Sequence, residues 1–220
     1  MLDFINKNKK NSDTQYGFRK KKNAEAALLD FTNYIYEGLT NKVNVGSIFM
    51  DLSKAFDVID HSILKSKLEH YGFRGIFLKL ITDFIKDRKY FVCVNGFKSD
   101  ISTLNIGVPQ GSTLGPLLFL IYVNDMKNCS NLLKFIQFAD DTTLMYRNKS
   151  IEQLNSTLEI EGNKVAKWLH ANRLILNLNK THSMLFTNKL GNLTLHLKIE
   201  NIYLENKVET CFLGVIIDKK

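Results

Sequence analysis

The sequence predicts an α+β fold in which an antiparallel sheet is packed against helices. Three observations predict it. Strand-like and helix-like segments are mixed without the regular alternation that builds a parallel sheet. Short apolar runs end in turn signals, the strongest being Asn95-Gly96. The composition, 45% hydrophobic and 24% charged over 220 residues, belongs to a chain with a core to bury.

The elements follow in order. Residues 1–14 form a polar lead-in, with Lys7, Lys9 and Lys10 among asparagines. From Ala24 to Tyr36, Ala27, Leu28, Phe31 and Ile35 recur at helical spacing, and Gly38 suits the stop. Val43 to Met50 reads as a buried strand that runs directly into Asp51. Two helices follow, around Ser62–Tyr71 and Ile76–Lys86, and Tyr90 to Val94 then alternates toward the Asn95-Gly96 hairpin. Residues 113–126 form an apolar helix with Pro116 in its first turn, where a missing N–H does no harm. Leu132–Phe138 and Thr143–Tyr146 read as strands joined across Ala139-Asp140-Asp141-Thr142. Ser150-Ile-Glu-Gln153 is a capping box opening a helix with Leu154, Leu158, Val165 and Trp168 on its apolar side. Strand-like runs close the chain at Leu174–Leu178, Ser183–Phe186, Leu193–Ile199 and Cys211–Ile217.

A formal charge of +8 favours polyanion partners, because each phosphate neutralised releases condensed counterions. Cys93, Cys129 and Cys211 are too scattered for a zinc site and read as buried thiols of a reducing compartment. There is no apolar signal core at the N-terminus, and the most apolar stretch, Leu114 to Val123, is too short to span a bilayer. The expectation is an intracellular protein of nucleus or cytoplasm, neither secreted nor membrane-bound. Nothing in the sequence defines an oligomeric state.

Two carboxylate positions interrupt apolar runs. Asp51 ends a buried strand, and Asp140-Asp141 sit at a hairpin tip. If the two strands are neighbours, Asp51 and Asp140 converge, and carboxylates so placed repel unless protonated or bridged by cations. Hard divalent ions with oxygen ligands suit them, and a pair of such ions supports phosphoryl transfer. Asp-Asp alone is also an ordinary turn pair. A third segment adds weight. Gly107 and Gly111 let the backbone approach a ligand closely, Gln110 offers an amide beside them, and the helix that follows presents its N-terminus to a phosphate.

Asp51-Leu-Ser-Lys-Ala-Phe-Asp-Val-Ile-Asp-His61, Gly107-Val-Pro-Gln-Gly-Ser112 and Phe138-Ala-Asp-Asp141 resemble, in order, the three central palm motifs of reverse transcriptases. The wording is closest to non-LTR retrotransposons of the jockey and LINE kind. Gln15-Tyr-Gly-Phe-Arg19 resembles the segment upstream of the palm, Asn177-Leu-Asn-Lys-Thr-His-Ser183 the next motif, and Phe212-Leu-Gly-Val-Ile-Ile-Asp218 the start of the primer grip. The resemblance covers residues 15–218 and implies a right-hand polymerase palm with partial fingers and no thumb.

It further implies an RNA-directed DNA polymerase that uses Mg²⁺, or Mn²⁺ in its place, with an RNA template, a DNA primer and deoxynucleoside triphosphates. Asp51 and Asp140 would be the principal metal ligands, with Asp141 and the carbonyl of Leu52 in support. Phe56 would reject a 2′-hydroxyl, and Gln110 and Gly111 would line the nucleotide. Lys180 would protonate the departing pyrophosphate. Gly107 and Pro109 would face the template and primer, as would Leu213 and Gly214. Asp57 and Asp60 read as helix-start residues and His61 as structural.

Against the family pattern, no fingers hairpin fits before Gln15, no thumb follows Lys220, and Phe138 stands where Tyr is common. The chain is therefore expected to be truncated at both ends, with turnover weak or absent. The alternative is an inactive transposon remnant, or a fragment that binds nucleic acid without catalysis.

Overall fold

All seven residues of β1 (Asn44–Met50) are buried in the computed structural model, which describes residues 12–219. That burial is what a β-branched, apolar run covered on both faces should show. Residues 1–11 of the expected lead-in lie outside the described residues. Before β1 comes α1 (Ala24–Thr40), capped by Asn23, whose side chain accepts from the Ala26 N–H at 2.9 Å. Gly38 does not stop this helix, which runs on to Thr40. The residue is buried, and a Cβ there would collide with Val45 of β1. Glycine at this position permits close packing of helix on strand rather than a left-handed turn. A two-residue strand, β2 (Leu52–Ser53), follows Asp51.

The described chain forms two units, one of them Lys54–Val123 and the other the remainder. In the Lys54–Val123 unit, Asp60 caps α2 (His61–His70), accepting at 2.9 Å from the N–H groups of Ser62 and Ile63. Next comes α3 (Gly75–Ile85), which packs on α2. Beyond it, β3 (Arg88–Tyr90), β4 (Cys93–Val94), β5 (Phe97–Lys98) and β6 (Ser102–Leu104) form two nested pairs, β3 with β6 and β4 with β5. The inner turn is Asn95-Gly96, with φ of 51° and 85°, the geometry that favours these two residue types. Finally α4 (Gly115–Val123), shorter than the predicted 113–126 helix, packs on α2 with only Pro116 not fully buried.

The other unit is built on a five-stranded sheet. To β1 it adds β7 (Lys134–Phe138) and β8 (Asp141–Asn148). Helix α5 (Ile151–Ala171) and the short β9 (Ile175–Leu176) come next, then β10 (His182–Phe186). The last strands are β11 (Lys198–Ile199), β12 (Ile202–Tyr203), β13 (Glu205–Asn206), β14 (Glu209–Phe212) and β15 (Val215–Asp218). The sheet order is β13-β10-β1-β8-β7, antiparallel except for the β10–β13 pair. Alternation along β1 divides the core. Ile48 and Gly46 meet α5, while Val45 and Phe49 join Ala27 and Phe31 of α1. Phe31 lies 5.8 Å from Phe49, 6.1 Å from Phe186 and 4.9 Å from Phe212, ring centre to ring centre.

Three local expectations are corrected here. Ser150 caps α5, its hydroxyl accepting from the Gln153 N–H at 3.2 Å, but the reciprocal arm of the box is replaced: Asn148 Oδ1 accepts the Ser150 N–H at 2.9 Å. The run Cys211–Ile217 is a hairpin, split at Leu213-Gly214 with φ of 49° and 84°. The cysteines are not buried: Cys93 and Cys211 are exposed and Cys129 is half-buried. Cys93 lies on an exposed hairpin, and Cys211 alternates outward between the buried Thr210 and Phe212.

Phe31 is fully buried at the centre of the aromatic cluster. Phe31→Ala is expected to lower the unfolding free energy by about 3–5 kcal/mol through lost contacts and a residual cavity, read from the urea midpoint at unchanged m-value.

Candidate active site

Register brings the carboxylates together. β1 pairs with β8 so that Met50 faces Thr142, which sets Asp51, the next residue, beside the β7–β8 hairpin tip. That hairpin closes on the pair Phe138 and Asp141, so its loop is only Ala139-Asp140, tighter than the four-residue connection predicted. Ala139 has φ of 56° and Asp140 does not have positive φ, the pattern of a type II′ turn, whose first central position usually holds glycine.

Asp51 is pinned by the segment after α5. Its carbonyl accepts the Asn177 N–H at 2.9 Å, and its N–H donates to Thr181 Oγ1 at 3.4 Å. Thr181 in turn donates to the Asn177 carbonyl at 2.9 Å. Buried Leu52 pairs with Leu176 across β2 and β9. The motif from Asn177 to Ser183 thus supports Asp51 through its backbone, a role that Asn177 and Thr181 were not expected to have.

A cleft lined by Asp51, Asp141, Thr142, Lys180, His182 and Leu213 opens at this sheet end. Protein atoms crowd the Asp141 carboxyl although the residue as a whole reaches solvent. That partial desolvation, followed by the charges of Asp140 and Asp51, raises it above the usual carboxylate range. The three carboxylates concentrate negative charge at this sheet end. Among the described residues no three His, Cys, Asp or Glu groups close on one point as a ready-made cage.

The remaining candidates belong to the Lys54–Val123 unit. Phe56 stacks on Phe119 at 4.5 Å between ring centres, inclined by 27°. Gly107, with φ of 82°, packs on the Asp57 backbone, where a Cβ would stand 2.7 Å from the Asp57 carbonyl oxygen. His61 Nε2 donates to the Gly107 carbonyl at 2.7 Å, so His61 fixes this turn. Gln110 Nε2 donates to Asp57 Oδ1 at 2.7 Å. Asp57 is therefore the partner of Gln110 and not a helix-start residue, a place that Asp60 takes. Pro109 and Gln110 line one groove with Arg88, and Gly111, with φ of 78°, stands in open space.

Residues 1–217 match the family model described as reverse transcriptase (RNA-dependent DNA polymerase). The chain belongs to the reverse transcriptase family. Among its relatives are the RNA-directed DNA polymerases from mobile element jockey of Drosophila melanogaster and of Drosophila funebris. They are 28% and 29% identical over 78% and 79% of this chain. A probable RNA-directed DNA polymerase from transposon BS of Drosophila melanogaster is 28% identical over 80% of it. The chain spans only 19–20% of the length of these relatives. Its fold is similar to part of apo telomerase from Candida tropicalis truncated from its C-terminal domain, with a TM-score of 0.64 and 15% identity, covering 99% of this chain and 44% of that one. Telomerase from Candida albicans, in complex with a fragment of telomeric RNA, superposes with a TM-score of 0.61 over 92% of this chain. The α+β palm and the mobile-element resemblance both stand. No helix among the described residues is long and apolar enough to cross a membrane.

In this reverse transcriptase chain His182 is wedged into the same cleft, stacked on Phe49 at 5.0 Å and hydrogen-bonded to Lys180 O at 2.9 Å and Thr210 Oγ1 at 2.7 Å. Burial lowers its pKa, with the Lys207 charge adding to the effect and the Lys180 carbonyl and Glu205 opposing it. The unfolded chain then binds the proton more readily, so the stabilisation from neutral His182 is complete above the unfolded value near 6.5 and is lost as pH falls through the folded one. His182→Gln is expected to flatten the fall in thermal midpoint between about pH 7 and pH 5, measured by circular dichroism at each pH.

Proposed function

We propose that this chain carries the nucleotidyl-transfer centre of an RNA-directed DNA polymerase, and that it works on an RNA template, a DNA primer and deoxynucleoside triphosphates. One observation carries the reading: Asp51 and the Asp140-Asp141 turn are held at one sheet end in a family whose members are polymerases. Asp51 and Asp140 would hold Mg²⁺ or Mn²⁺, with Asp141 and the Leu52 carbonyl in support. Bound there, such ions make a primer hydroxyl more acidic and stabilise the charge on a departing oxygen.

The chain's own residues do the rest. Asp51, tied through Asn177 and Thr181, presents its carboxylate from a backbone that cannot drift. Lys180 lines the same cleft, and its ammonium can give a proton to departing pyrophosphate. Phe56, braced by Phe119, is a rigid aromatic wall suited to excluding a 2′-hydroxyl. Gln110 and Gly111 offer an amide and open backbone to a nucleotide, and Gly107 and Pro109 shape the surface beside them. Leu213 and Gly214 form a hairpin tip suited to supporting a primer end. The net charge of +8 favours the nucleic acid electrostatically.

Purified protein with Mg²⁺ is expected to extend a DNA primer on an RNA template, and Asp140→Asn to reduce extension at least about 100-fold, since one misplaced or missing charge-bearing contact removes that much. Equal background from wild type and variant in a gel-based extension assay overturns the reading. Template binding that weakens steeply with salt, without extension, would instead favour a nucleic-acid-binding chain. Phe56→Ala is expected to lower the preference for deoxynucleotides over ribonucleotides, measured as the ratio of kcat/KM values.

A further inference from the structure

Ala139 occupies a backbone conformation that alanine avoids, and something must hold it there. As a central residue of a two-residue loop it lies outside the β7–β8 ladder, which closes at Phe138 and Asp141. The missing ladder is supplied by a side chain 124 positions upstream. Gln15 Oε1 accepts the Ala139 N–H at 3.0 Å, and Gln15 Nε2 donates to the Ala139 carbonyl at 3.3 Å. One side-chain amide thus satisfies both backbone groups of the residue, as a neighbouring strand would. Gln15 is only 4% exposed, so these bonds face little competition from water.

The clamp is itself built in. Residues 14–16 lie along β7, where Tyr16 N–H donates to the Gln137 carbonyl at 2.7 Å and Gln137 N–H to the Thr14 carbonyl at 2.9 Å. Gly17 N–H adds a second bond to Gln15 Oε1 at 2.8 Å, fixing which end of the amide points where. A Cβ at residue 17 would collide with the Ala139 backbone nitrogen, so glycine is what allows the approach. Arg19 reaches back to the carbonyls of Ser12 and Gln15 and ties the loop that carries the clamp.

We propose that Gln15 is a positioning residue for the Ala139-Asp140 turn, holding Ala139 in its left-handed conformation so that Asp140 and Asp141 are presented correctly. The proposal rests on the polymerase reading for its catalytic consequence, but the clamp can be tested without it. A residue released from the left-handed region relaxes to negative φ, which re-aims the next side chain, Asp140. Displacement of about 1 Å at a reacting group is enough for a 100-fold loss.

The test uses the full chain with Gln15→Ala, the isosteric Gln15→Glu, which keeps the acceptor and turns the donor into an oxygen that repels the Ala139 carbonyl, and the double variant Gln15→Ala with Ala139→Gly. Three readouts are taken: hydrogen exchange at the Ala139 amide, Mn²⁺ affinity by electron paramagnetic resonance, and kcat separately from KM for the nucleotide. Gln15→Ala is expected to speed exchange at residue 139 by about tenfold or more, as for a buried bond lost, and both single variants are expected to weaken Mn²⁺ binding. They are also expected to lower kcat by about 100-fold while KM changes little. Glycine at 139 accepts positive φ unaided, so the double variant should recover most of the Mn²⁺ affinity and kcat. Loss of packing alone would not be rescued at residue 139. Unchanged exchange and affinity in a folded Gln15→Ala, or no recovery in the double variant, overturns the proposal. Should Gln15→Ala not fold, Gln15→Glu decides by Mn²⁺ affinity and kcat. If wild type fails to extend primers, the polymerase reading falls and the exchange and Mn²⁺ results still judge the clamp.

Discussion

Gathering like charges is the constraint on which this molecule turns. Asp51, Asp140 and Asp141 are brought to one sheet end, where desolvation and then the charges of Asp140 and Asp51 raise the pKa of Asp141. A flexible chain would separate them. Here the separation is prevented by register: β1 lies between β10 and β8, buried on both faces, and cannot slide without turning every side chain to the wrong layer. The aromatic cluster on one face, whose Phe49 and Phe212 also line the cleft, and α5 on the other therefore both act on the site.

Each carboxylate is then fixed by a different local device. Asp51 is fixed through its backbone by Asn177 and Thr181, and Asp140 by a turn whose strained residue is enclosed by Gln15 and Gly17. In the Lys54–Val123 unit, polar bonds again hold the glycine-rich segment. His61 donates to Gly107, Asp57 accepts from Gln110, and Gly107 itself packs on Asp57. Gln110 already has a partner in Asp57, so it can serve a nucleotide only with its free donor and acceptor capacity or by exchanging that bond.

Most of the scaffold was legible because it rests on neighbouring residues. The end of β1 at Asp51, the caps Asp60 and Ser150 and the Asn95-Gly96 turn all follow from chemistry within four or five positions. What escaped depends on distant partners. Gly38 looks like a helix stop until Val45 is seen pressed against it. The Ala139-Asp140 loop looks like four residues because alanine seldom takes positive φ, and Gln15, which bonds both backbone groups of Ala139, is 124 positions away. Asp57 looks like a helix-start acid because its partner is 53 residues away. Gln15, Thr181 and Asn177 sat inside recognised motifs, yet a motif reports which residues recur together and not which bonds they make. The one signal for Gln15 was its place two residues before a glycine in a polar stretch, which is too weak to identify a clamp.

These misses share a cause. Local sequence rules describe the least costly backbone, and a site that must hold repelling carboxylates departs from that backbone where function requires it. At Ala139 the departure is a left-handed alanine, offset by a buried amide with two bonds to it. At Asp141 it is a carboxyl among its own kind, which a bound cation would offset. The first compensation is written into the folded chain; on the proposed reading the second would come from a metal ion, and the turn would be formed before that ion binds. Preorganisation of this kind would leave a metal and substrate, bound as proposed, to supply charge rather than to build geometry, which is where binding energy contributes most to rate.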